Sequence, residues 1–145
     1  MANDLIAKAE TSINVPVETA WDALTNADTI KKYMFGTTVT SDWKPGSKIS
    51  WKGEWKGKSY EDKGKILEIK PKEKLQYSHF SPLEGLPDNP ENYHTVTITL
   101  KPDGSKTLIT LTQDNNANEE AQEHSEKNWK GMLSEMKKLL EHSNN

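Results

Sequence analysis

Residues 93–141 read YHTVTITLKPDGSKTLITLTQDNNANEEAQEHSEKNWKGMLSEMKKLLE, and a change of period inside this stretch decides the fold. From Tyr93 to Lys101 apolar and polar residues alternate. Val96, Ile98 and Leu100 face one way, and Thr95, Thr97 and Thr99 face the other. That is the two-residue period of a half-buried strand. Pro102-Asp103-Gly104 makes a hairpin turn, and Thr107 to Asp114 returns as a strand with Ile109 and Leu111 inward. Then the spacing changes. Between Asn118 and Glu141 the apolar residues are Ala121, Trp129, Met132, Leu133, Met136, Leu139 and Leu140, the pattern of an amphipathic helix of about six turns. Asn118 is placed to cap it, with Glu119 and Glu120 at its positive end and Lys137 and Lys138 at its negative end.

Upstream of this stretch the same alternation recurs. Residues 4–14 read as a first strand, ended by Asn14-Val15-Pro16. A helix over Pro16 to Thr25 puts Val17, Ala20, Trp21 and Leu24 on one face. Asp28 is expected to cap a second short helix holding Ile30, Tyr33 and Met34, which Gly36 closes. Strands are predicted over Thr37 to Thr40, Ser47 to Trp55, Tyr60 to Lys70 and Leu75 to Phe80, with a bulge expected at Gly64. Residues 81–92, with three prolines, form the one long loop. The fold class is therefore α+β: a curved antiparallel sheet of six to seven strands, two short helices and one long C-terminal helix. Only that helix is large enough to cover a sheet face.

The 145 residues fit a single domain, 1–145, with no internal repeat. No cysteine is present, which removes thiol chemistry and Cys-ligated metal. Net charge is −3, and all 19 basic residues are lysine. Without arginine there is no bidentate reader of phosphate or guanine, so no nucleic-acid partner is expected. No apolar run reaches the ~20 residues needed to cross a bilayer, and the N-terminus has no signal-peptide pattern. A cytoplasmic protein without membrane insertion, a monomer or weak dimer, is expected.

Several local motifs carry a resemblance. Ile13-Asn14-Val15-Pro16-Val17-Glu18-Thr19-Ala20-Trp21-Asp22-Ala23-Leu24-Thr25 is similar to the strand-to-helix opening of the SRPBCC group. Trp43-Lys44-Pro45-Gly46-Ser47-Lys48-Ile49-Ser50-Trp51 resembles its Gly-turn hairpin, and Trp129-Lys130-Gly131-Met132-Leu133 its C-terminal helix. Together they resemble the START-like helix-grip superfamily, in the branch related to the C-terminal domain of the heat-shock-protein-90 ATPase activator. That resemblance implies a helix-grip fold. It spans lipid and aromatic-ligand carriers, polyketide cyclases and co-chaperone domains, because one fold hosts many functions.

The expected function is binding of a hydrophobic small molecule, lipid-like or aromatic, in a cavity between the sheet and the long helix. The expected ligand-binding residues are Tyr33, Phe35, Trp51, Trp55, Tyr77, His94, Gln113, Trp129, Met132 and Met136. Each has a plainer reading as core packing. Gly53, Gly64 and Gly131 are expected to leave volume at the interface. Tyr77, His79, His94, Thr112 and Gln113 are candidate polar anchors. An alternative is a chaperone partner engaged through the charged surface. A second alternative is a cyclase or hydrolase using His79 or His94. The sequence positions no carboxylate beside either ring, and no catalytic motif, metal-binding spacing or cofactor fingerprint occurs. No catalytic residue, cofactor or metal is therefore expected, and the leaning is against an enzyme.

Overall fold

A computed structural model describes residues 5–34, 36–55, 57–81, 87–116 and 118–143. The chain runs β1 (Ala7–Ile13), α1 (Val17–Thr25), α2 (Ala27–Tyr33), β2 (Thr38–Ser41), β3 (Lys48–Trp55), β4 (Lys58–Lys70), β5 (Lys74–His79), β6 (His94–Asp103), β7 (Lys106–Gln113) and α3 (Glu119–Ser143). The seven strands form one curved antiparallel sheet in the order β1-β7-β6-β5-β4-β3-β2. Strands β2 to β7 are a meander, and β1 closes onto β7. This is the α+β helix-grip architecture that the change of period implies.

The parity read from sequence holds along the inner face. Val96, Ile98, Ile109 and Leu111 are buried there, and Leu75, Trp51 and Ile49 join them across the sheet. The long helix adds Leu133, Met136 and Leu140 to the same cluster. Thr112, considered as an anchor, has the opposite parity. It pairs with Lys8 and Thr97 on the outer face and cannot reach the core.

Three local features differ from expectation. The cap of α2 is Asn26, whose side chain accepts from Asp28 N–H and Thr29 N–H, so the helix begins one residue before Asp28. The β4 irregularity falls between Ile66 and Glu68 rather than at Gly64. Gly64 has another role: a Cβ there would sit 1.7 Å from the Ser78 carbonyl oxygen. Its missing side chain lets the β5 backbone approach β4.

Helix α3 also secures the sheet edge. Lys8 N–H donates to Glu126 (3.0 Å) and Asn14 N–H to Glu141 (2.9 Å). Gln122 donates to the Ile6 carbonyl (2.8 Å), and the Lys137 ammonium to that of Ser12 (2.9 Å). Helix side chains thus occupy backbone groups of edge strand β1 that would otherwise invite another strand. Glu126 is one of these ties.

Candidate functional site

Away from β1, the inner face carries aromatic rings. Trp51 and Tyr77 lie on neighbouring parts of β3 and β5 with ring centroids 5.1 Å apart. Tyr33 reaches in from α2, and its hydroxyl donates to the Ala23 carbonyl at 2.8 Å. Trp129 and Met132 come from α3 and Met34 from the end of α2. These six line an internal cavity of about 30 Å³. That is room for one or two waters, far below the ~300–1,000 Å³ of an open ligand pocket.

Burial pushes the Tyr77 hydroxyl well above its ordinary range. It does the same for Tyr33, with the neighbouring Tyr77 adding to the effect. Both are neutral hydrogen-bonding groups at physiological pH.

Of the residues expected at the site, Tyr33, Trp51, Tyr77, Trp129 and Met132 meet at this cavity. Met136 is fully buried in the core but does not line it. Gln113 is committed internally: its Oε1 accepts from Trp129 Nε1–H at 2.6 Å. It therefore orients a wall rather than facing the space. His94 is buried, and its Nδ1–H donates to the Asp114 carbonyl at 2.9 Å. Phe35 and the Trp55 side chain lie outside the described residues.

The three glycines do not open the space as expected. At Gly53 the room is taken by the Tyr60 side chain, whose hydroxyl is 2.6 Å from where a Cβ would be. Gly64 is filled by backbone, and Gly131 faces solvent on α3. Trp43 was missed as a wall residue. It lines the cavity with φ at +56°, a conformation unusual for a bulky side chain, and its N–H is held by the Ser41 hydroxyl at 3.0 Å. Its place just before a Lys-Pro-Gly turn was the available signal.

A carboxylate was missed as well. Asp62 Oδ2 lies 3.0 Å from His79 Nε2, contrary to the reading that none stands beside either histidine. The pairing joins residues 17 apart through the β4–β5 approach at Gly64, which no local motif marks. His79 and His94 face each other across β5 and β6, ring centroids 6.2 Å apart. Asp62 Oδ1 and His79 Nδ1 are buried and have no hydrogen-bond partner among the described residues. Each such atom costs about 1–3 kcal/mol when left unpaired.

A larger hollow of about 1,010 Å³ lies on the outer face. Lys48, Lys63, Lys65 and Ser78 line it, the parity opposite to the core. Most of its lining side chains are lysine, serine, threonine or acidic residues. At its rim Lys63 pairs with Asp88. Among the described residues no cluster of side chains suited to a metal occurs, and no helix is long and apolar enough to cross a membrane.

Comparison with known proteins fits this architecture. A solution structure of ChR145 from Cytophaga hutchinsonii is 59% identical, with a TM-score of 0.86 over 99% of this chain and 98% of that one. NE0264 from Nitrosomonas europaea shares the fold at 20% identity, TM-score 0.77, over 98% of each chain. DynU16, a protein of the dynemicin biosynthetic locus, does so at 15% identity and TM-score 0.79, over 96% of this chain and 48% of that one. Comparison with curated proteins finds no match. The model of the activator of Hsp90 ATPase homolog 1-like family matches residues 14–141. With nearly the whole chain matched on a helix-grip fold, this protein belongs to the activator of Hsp90 ATPase homolog 1-like family, within the SRPBCC superfamily.

Proposed function

We propose that this protein binds a hydrophobic small molecule, aromatic or lipid-like, between the sheet and α3, and acts as a binder rather than an enzyme. The observation that carries the reading is the cavity walled by Tyr33, Trp51, Tyr77, Trp129 and two methionines, with the buried Tyr33 and Tyr77 hydroxyls as its polar groups. Apolar rings around a few polar groups are the usual composition of a ligand pocket.

The cavity is closed down, so binding requires it to open. Its adjustable walls are Met34 and Met132, unbranched and easily repacked, and α2, a helix of seven residues. A single ring burying about 200 Å² gains about 5 kcal/mol at ~25 cal/mol per Å². Association costs of about 4 kcal/mol or more consume most of that. Ligands of two or more rings, or a long chain, are therefore favoured.

The test is a chemical-shift perturbation screen of the full chain with fatty acids, sterols, flavonoids and polyketide-like aromatics. Shifts centred on Trp51, Tyr77, Trp129 and Met132 are expected. Shifts confined to the outer face, or none at all, overturn the reading. The family's description also suggests a chaperone partner met through the lysine-rich outer face. A salt-sensitive complex with the host chaperone, combined with an empty ligand screen, is the result that would favour it.

A further inference from the structure

The apolar reading leaves one polar pair unused. Asp62 is the cross-strand partner of Trp51 on the inner face, and His79 makes an edge-to-face contact with the same indole, centroids 5.0 Å apart. Trp51 is also a wall of the cavity. One ring therefore stands between the cavity and the pair. The side chains of His79 and Asp62 are only 19% and 16% exposed.

The chemistry of the pair is set by its geometry. An ionised carboxylate only accepts hydrogen bonds, so the 3.0 Å contact places the proton of a singly protonated ring on His79 Nε2. That leaves Nδ1 with a free lone pair. Asp62 Oδ1 is an acceptor too. Both orphaned atoms thus ask for a donor, and the surroundings supply aromatic surface. Buried polar atoms without partners are rare in folded proteins and call for an occupant.

We propose that the Asp62–His79 pair is the polar anchor of the cavity, taking an aromatic ligand through a hydroxyl that donates to His79 Nδ1. The inference rests on the cavity reading and adds a ligand class to it: hydroxylated aromatics over plain hydrocarbons. Asp62 is a positioning residue, holding the ring in the tautomer that accepts. Rotation of Trp51 joins the pair to the cavity. A site built around an acceptor rejects the analogue that lacks the donor.

The experiment compares 1-naphthol with naphthalene by calorimetry on the full chain, with the ¹⁵N resonances of the His79 ring followed in parallel. We expect 1-naphthol to bind about tenfold tighter, although it is the less hydrophobic of the two. His79→Phe should abolish the preference for 1-naphthol over naphthalene. The Nδ1 resonance should shift with 1-naphthol only. If the variant does not fold, that resonance in the native protein decides. Equal affinities with an unmoved Nδ1 overturn the anchor, as for a pair that holds only water, and leave the cavity standing. If neither compound binds, the cavity reading fails and the anchor with it.

Discussion

The two flanks of the sheet meet the helices differently. Along β1 the inner positions are Ala7, Ala9 and Ile13, and α1 contributes Ala20 and Ala23, all buried. Small side chains let elements approach closely, and four hydrogen bonds join α3 to β1 and its flanking residues Ile6 and Asn14. Along β3 to β5 the inner positions are Trp51, Tyr77 and His79, and a cavity and two unpaired polar atoms remain. Large flat rings tile a curved surface incompletely, and rings with polar atoms need partners that a neighbouring ring cannot give. The packed flank stabilises the fold; the aromatic flank holds the candidate site.

The largest test of this contrast is Gly64→Ala. A Cβ 1.7 Å from a backbone oxygen forces β5 away from β4. A loss on the order of 3 kcal/mol is expected in denaturant unfolding, together with separation of His79 from Asp62. An unchanged midpoint would mean the close approach is not required.

Next comes a pair of neighbouring truncations on α3. Leu133 is 1% exposed in the packed core, and Met132 borders the cavity. Leu133→Ala should cost about 3–4 kcal/mol and Met132→Ala about 2, because the cavity wall already lacks some contacts. Equal losses would erase the distinction between the flanks. Smaller and opposite in sign, Gly131→Ala should raise stability by about 0.5–1 kcal/mol, since nothing lies within 4 Å of the added methyl and alanine restricts the unfolded chain.

The smallest effect concerns Asp88 beside the aromatic flank. Hydrogen bonds from Lys63, then from Tyr93, hold its carboxyl below the ordinary 3.8. A lowered folded value means this tether is present above the ordinary carboxylate range and is lost as pH falls through the lowered one. Tyr93 side-chain resonances followed through an acid titration should move there, and Asp88→Asn should remove that step. The pair is exposed, so global stability should barely respond.

The site was legible in part. Trp51, Tyr77, Trp129 and Met132 were identified because alternation on strands and helical spacing on α3 assign each a face, and faces are local information. Thr112 was misplaced although the same parity excludes it. The glycines misled because the room beside a missing side chain is filled by whatever packs there: Tyr60 at Gly53, the Ser78 backbone at Gly64, solvent at Gly131.

By itself the sequence determined the order of elements, the inward face of nearly every strand and the helix that covers the sheet. Periodicity and turn chemistry act within a few residues, and the chain displays them directly. Tertiary structure alone decided that the cavity is nearly closed, that Gln113 serves Trp129, and that Asp62 meets His79. Those facts depend on how strands distant in sequence approach one another in space. At Gly64 that approach is set by an atom the residue does not have.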